Sequence, residues 1–186
     1  MLTSRLWRSI ACLAVSFFLL ASSVLAQRPN FKLFTDPQRR FSVEFPDNWS
    51  WMMVSGSGEP LVTFIHPSKE AAVVVERFRM RQKLQRDEVT DLFAQIEADV
   101  LKENQPRATD VVSKIVTENG RRLILIDYYR PGLDVREQVR QYSYPVGGDL
   151  YRITCMSVQK VFSRYESTFG NVASSLKPAV DLGAAK

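Results

Sequence analysis

Residues 41–49 read Phe-Ser-Val-Glu-Phe-Pro-Asp-Asn-Trp. Phe41, Val43 and Phe45 alternate with Ser42 and Glu44, the period of a strand with one apolar and one polar face. Pro46-Asp47-Asn48 then turns the chain, because proline lacks a backbone donor and short polar side chains bond their own backbone. The alternation resumes at Trp49, Trp51 and Met53, and Ser55-Gly56-Ser57-Gly58 has the composition of a hairpin loop. Leu61–Ile65 and Ala72–Met80 are two further β-rich runs.

Beyond these runs the period changes. From Asp87 to Glu103, the residues Val89, Leu92, Phe93, Ile96 and Val100 recur at the spacing of one helix face. Asp87 suits the N-cap, Glu88 and Asp91 suit the first turn, and Asn104 and Pro106 end the helix. Strands return at Val111–Thr117, and Asn119-Gly120 is a hairpin signal. Arg122–Arg130 follows. Pro131-Gly132 turns into Val135–Tyr144, and Gly147-Gly148 leads into Leu150–Met156. Taking Pro131–Asp134 as the loop sets Arg130 opposite Val135. The last element is helical, with Ser157 as its cap and Val161, Phe162, Tyr165, Phe169, Val172 and Leu176 on its buried face. Pro178 stops it, and residues 179–186 read as a flexible tail. The order of strands, helix, antiparallel strands and helix predicts an α+β fold, a mainly antiparallel sheet with helices packed on it.

The N-terminus predicts export. Arg5 and Arg8 precede an apolar run from Ile10 to Leu20, and Val24-Leu25-Ala26 fits a small-residue cleavage site, giving a signal peptide over 1–26. An uncleaved anchor is the alternative, with Ile10–Ala26 near the short limit for spanning and diluted by Ser16, Ser22 and Ser23. Cys12 lies at the start of the apolar run, not after it, which argues against lipidation. The destination is then periplasmic or extracellular, with no integral span after cleavage. A single domain is expected over 27–178.

The 186-residue chain has 25 Lys and Arg against 20 Asp and Glu; losing Arg5 and Arg8 leaves 23 against 20, a net charge of +3. That mild balance excludes nucleic-acid binding driven by bulk charge. Cys155 becomes the only cysteine, so no internal disulfide forms and packing alone must hold the domain.

Two segments resemble a known family. Residues 41–49 are similar to the aromatic–Pro–Trp opening of PsbP-like domains, including their exported DcrB-like relatives. Leu150-Tyr151-Arg152-Ile153-Thr154-Cys155, followed by Tyr165-Glu166-Ser167-Thr168-Phe169 and Ser174-Ser175-Leu176-Lys177, resembles that family's last strand and final helix. The resemblance runs from about Phe31 to Pro178 in element order. It implies an α/β/α sandwich and a non-catalytic role; the namesake is an extrinsic subunit of photosystem II, a role that would require a photosynthetic host. No cofactor or metal site is carried over.

The residues themselves supply little catalytic chemistry. His66 is the one histidine, no G-x-S-x-G elbow presents a serine to it, and Cys155 shares a strand face with Tyr151 and Ile153 that points it inward. One histidine and one cysteine do not make a zinc site. Glu88, Asp91, Glu97, Asp99 and Glu103 spread around a helix, unlike a calcium loop, and read as a solvated face. The loop at residues 55–59 joins two strands and lacks the ending of a phosphate cradle.

Basic and aromatic residues supply the candidate interface. Arg77, Arg79 and Arg81 fall on one strand face. Across the Pro131-Gly132 hairpin, Asp127 and Tyr129 share a face with Arg136, Arg140, Tyr142 and Tyr144. The pattern fits first a solvated face on which Asp127 pairs with Arg136 or Arg140, and second an Arg/Tyr surface for an anionic partner. Together these features predict an exported, non-catalytic accessory module with a protein or membrane-complex partner. A carrier of small apolar ligands, walled by Trp49, Trp51 and the tyrosines, is the alternative. An enzyme using Cys155 or His66 is a third.

Overall fold

The strand at Phe41 forms the middle of a small antiparallel sheet. β2 (Phe41–Pro46) pairs on one side with β1 (Phe31–Thr35) and on the other with the short β9 (Lys177–Pro178). The computed structural model describes residues 30–54, 61–84, 89–132 and 135–179, without the side chains of Val54, Leu61 and residues 81–84. The expected signal, the residue 55–58 loop, Asp87 and Glu88, and residues 180–186 of the tail lie outside it.

The larger sheet has the order β3-β4-β5-β8-β7-β6 and is antiparallel throughout. Its strands are β3 (Ser50–Val54), β4 (Leu61–Ile65), β5 (Ala71–Leu84), β6 (Thr109–Glu118), β7 (Arg121–Pro131) and β8 (Arg136–Val158). Asn119 and Gly120 both take positive φ, 49° and 70°, closing the β6–β7 hairpin with the backbone that Asn-Gly favours.

β8 is extended over its whole length but not straight. Arg130 pairs with Glu137 near the start of β8, and its Nη2 lies 3.1 Å from the Sδ of Met156 near the end. A straight strand would separate Glu137 from Met156 by about 60 Å. The strand therefore doubles back in the Pro145–Gly148 region, where Gly147 has φ 61°. Its outgoing limb pairs with β7 and its returning limb with β5.

Each face of this sheet carries its own core. On one face, α2 (Phe162–Ser174) and the small sheet cover Val73, Val75, Leu125, Tyr142, Ile153 and Cys155. The Phe45 and Phe64 rings approach to 4.2 Å and those of Phe41 and Tyr151 to 6.3 Å, joining the two sheets. On the other face, α1 (Asp91–Asn104) covers Ile124, Ile126, Tyr128 and Val139. The result is the expected α/β/α arrangement.

Several local expectations change. β1 was not anticipated: Phe-Lys-Leu-Phe-Thr lacks clean alternation, and it forms because β2 offers an edge. Trp49 lies before β3 in a turn, its N–H bonded to the Pro46 carbonyl at 3.0 Å. Thr90 caps α1, its Oγ1 accepting from the Phe93 N–H at 3.3 Å, so the helix starts after Val89. Ser157 is not a cap. It sits inside β8, and a 3-10 turn (Gln159–Val161) leads into α2 without a side-chain cap. Pro178 belongs to β9, and Ala179 is held by a 2.7 Å bond from its N–H to the Arg40 carbonyl.

The largest change concerns α1. Leu92, Ile96 and Val100 are exposed, while Ala94, Glu97, Ala98 and Leu101 face the sheet. Glu97 is therefore not part of a solvated acidic face; its Oε2 accepts from Arg152 Nη2 at 3.0 Å. Beside that pair, burial raises the carboxyl pKa of Glu76, with Arg152 pulling the other way. Above this raised folded-state pKa the ionised carboxylate weighs against folding, and the penalty fades as pH falls toward the unfolded value. Glu76→Gln is accordingly expected to raise the urea midpoint at pH 7 and to gain progressively less on acidification. An equal gain at all pH values would contradict this.

Candidate functional site

The hairpin between β7 and β8 builds the site. Pro131 pairs with Arg136, so the loop is residues 132–135 and Arg130 faces Glu137, not Val135. The shift is two residues, which leaves each side chain on its expected face. Gly132 is required at the loop's start: a Cβ there would lie 2.7 Å from the Val135 carbonyl oxygen, which accepts from the Gly132 N–H at 2.7 Å.

Next to the loop, the β6–β7 register shifts between Thr109 and Val112, and Asp110 takes φ 53°. This bulge aims Thr109 and Asp110 at Arg136. Arg136 Nη2 donates to Asp110 Oδ2 at 2.6 Å and to Thr109 Oγ1 at 2.8 Å. Its guanidinium stacks on the Tyr129 ring, 4.1 Å from the centroid. Arg130 Nε donates to Glu137 Oε2 at 2.7 Å. Arg107, carried on the turn after α1, is exposed and makes no ion pair among the described residues.

These three arginines line one open groove of about 410 Å³, with Thr109, Gly132 and Val135. A second hollow of about 210 Å³ shares Arg107 and Arg130 with it and extends toward Gln105 at the end of α1. Among the described residues pairing leaves one uncompensated charge, because Asp110 and Glu137 answer Arg136 and Arg130 while Arg107 makes no ion pair. A guanidinium already oriented by a carboxylate and a ring presents its remaining N–H groups to a further anion at little entropic cost.

The candidate interface divides accordingly. Tyr129 and Arg136 belong to the groove. Tyr142 and Tyr144 do not, being 4% exposed beneath α2. Burial pushes both phenols up, and the Tyr144 hydroxyl donates to the Ala173 carbonyl at 3.0 Å. Arg140 is a pin within the fold, its Nε 2.7 Å from Asp127 Oδ1 and its Nη1 2.7 Å from Glu166 Oε1. Burial opposes its charge, and the bonds to Asp127 and Glu166 outweigh that, raising its pKa.

In the other set, Arg77 is partly buried against Asp149 at 2.7 Å, Arg79 is exposed, and the Arg81 side chain lies outside the described residues. The set sits beside Tyr151 on β8, away from the hairpin. Sequence reasoning missed Arg107 and Arg130. Arg107 stands in a turn and carries no periodic signal, and Arg130 falls on the strand face opposite Tyr129.

The catalytic candidates serve packing and turn geometry. His66 Nδ1 accepts from the Ser68 N–H at 3.1 Å, and its ring packs edge-on to Trp49 and Tyr165. Cys155 is fully buried beneath α2, and burial pushes its thiol well above the ordinary range. Thiol reagents should leave Cys155 of the folded chain unmodified and label it fully in denaturant. Rapid labelling under native conditions would contradict this.

Among the described residues no group of three His, Cys, Asp or Glu side chains is placed to hold a metal ion. None of the described helices is long and apolar enough to cross a membrane. The aromatic residues expected around a ligand serve separate packings. Trp49 joins His66 and Tyr165, Trp51 leans on Phe34 at 5.2 Å, and Tyr142 and Tyr144 fill the core.

No family model matches the chain. No curated protein sequence matches it either. Solved structures do match. Cyanobacterial PsbP (CyanoP) from Synechocystis sp. PCC 6803 superposes with a TM-score of 0.61 at 15% identity, over 86% of this chain and 99% of that one. LpqN of Mycobacterium tuberculosis, described as involved in cell envelope biogenesis, gives 0.53 at 10% identity over 85% and 95%. PA94 of Pseudomonas aeruginosa, a protein of unknown function, gives 0.50 at 15% identity over 80% and 97%. The fold is PsbP-like.

Proposed function

We propose that this PsbP-like domain is an exported, non-catalytic accessory module that docks an acidic protein surface through its arginine groove. The convergence of Arg107, Arg130 and Arg136 on one open groove carries this reading. Arg136 keeps 46% of its side chain exposed and Arg130 29%, so both have N–H groups to offer beyond their present partners. Arginine with an aromatic support is favoured where carboxylates are recognised across an interface. Export is supported by the signal-like residues 1–26 and by the envelope role described for LpqN, which shares the fold.

The test is crosslinking of the tagged chain in its native host, with captured proteins identified by mass spectrometry. A reproducible partner should be captured by the wild type and by Arg79→Glu, and lost on Arg107→Glu/Arg136→Glu. A partner retained by the folded double variant would overturn the assignment of the groove.

A further inference from the structure

We infer that the outward face of α1, together with the open part of the sheet beside it, docks a partner helix that has an apolar face and a basic flank. This surface is independent of the arginine groove.

Leu92, Ile96 and Val100 are 70%, 48% and 39% exposed. Spaced by four residues, they form one row along more than two turns. A helix stabilised only by its own domain turns its larger apolar side chains inward. α1 turns only Phe93 and Leu101 inward, with Ala94, Ala98 and Glu97, and leaves its other three large apolar residues outside.

The row lies next to uncovered sheet. Glu97 bonds Arg152 of β8, and the Arg152 guanidinium lies 4.7 Å over the Phe78 ring of β5. The flank of α1 carrying Glu97 thus faces β5. Val100, Ile96 and Leu92 follow from Glu97 at about 60°, 100° and 140° around the helix, on the side away from Ala94, Ala98 and Leu101, so Val100 borders the open sheet and Leu92 points furthest from it. On the same sheet face Met52, Thr63 and Val74 pair in a row across β3, β4 and β5. Met52 is 52% and Phe78 37% exposed there, whereas Ile124, Ile126 and Val139 beneath α1 are fully buried. Among the described residues α1 therefore fills only part of its layer. The remaining space, bounded by a helix side and a sheet floor, suits a second helix about 8–10 Å from α1.

Charge selects the occupant. Asp91, Asp99 and Glu103 are exposed on α1 against one basic residue of the helix, Lys102, which pairs with Asp99 at 3.5 Å and leaves Asp91 and Glu103 unanswered among the described residues. Glu76 of β5 lies in the floor beside Arg152, which Glu97 of α1 pairs with from above. Among the described residues this local surplus of carboxylates, on a chain whose overall charge is +5, favours a basic flank on the partner and repels an anionic bilayer.

The test uses two synthetic amphipathic helices of about 18 residues, or five turns, one built from Leu and Lys and the other from Leu and Glu. Phosphatidylglycerol–phosphatidylcholine vesicles serve as the membrane probe. The Leu/Lys peptide should bind at least about tenfold more tightly than the Leu/Glu peptide, shifting the amide resonances of Leu92, Ile96 and Val100. Ile96→Asp/Val100→Asp should abolish that binding and leave the thermal midpoint nearly unchanged, since both sites are exposed. Equal binding of the two peptides, binding unaffected by the double substitution, or preference for the vesicles would overturn the proposal.

Discussion

Replacing Phe169 by alanine is expected to cost about 3–5 kcal/mol, a large share of the roughly 5–15 kcal/mol that holds a domain of this size. Phe169 is fully buried, with ring centroids 5.4 Å from Phe162 and 6.0 Å from Tyr165. It projects from α2, which covers the large sheet, while Leu176 and β9 carry the chain from that helix back to β2. Loosening the helix therefore loosens the junction between the sheets. No disulfide offsets the loss, because Cys155 is a free buried thiol. Urea unfolding measures the effect, with Leu33→Ala as the control; at 60% exposure Leu33 should matter by no more than about 0.5 kcal/mol. A cost below about 1 kcal/mol for Phe169→Ala would mean that α2 does not pack as described.

The second large effect separates two arginines that share a strand face. Arg140→Ala should destabilise the fold by about 2–4 kcal/mol, because it leaves a partly buried partner charge unanswered. Asp127, 29% exposed, loses its guanidinium, Glu166 loses its anchor, and the guanidinium 5.6 Å over the Phe162 ring is removed. Arg136→Ala should change stability by less than about 1 kcal/mol, since its pair with Asp110 is exposed at 46% and 64%. Its effect should appear in partner binding. Equal stability losses for the two variants would contradict the division of the face into a structural pin and a docking group.

That division shows how far the sequence could be read. Period-two alternation located β2, β4 and β5, and Asn119-Gly120 marked the turn between β6 and β7, because local sterics decide both. The hairpin face was also legible, since cross-strand parity survives a two-residue error in loop length. What covers a face was not legible. Tyr142 and Tyr144 share parity with Arg136, yet α2 descends over them and stops short of the hairpin end. The same limit explains α1, whose stripe at Leu92, Ile96 and Val100 was visible as a periodic signal, while its outward direction depends on Glu97 meeting Arg152. β1 and β9 escaped notice because short strands rely on a partner's edge more than on their own pattern.

The most direct test of the central claim follows the arginine side-chain Nε–H resonances of the folded chain during titration with an oligoglutamate peptide. Arg107, Arg130 and Arg136 should shift together along one saturable curve. Added salt should weaken the binding, and Arg107→Glu/Arg136→Glu should abolish it. Shifts spread equally over Arg39, Arg79 and Arg164, or binding that survives the double substitution, would contradict a docking groove at the β7–β8 hairpin.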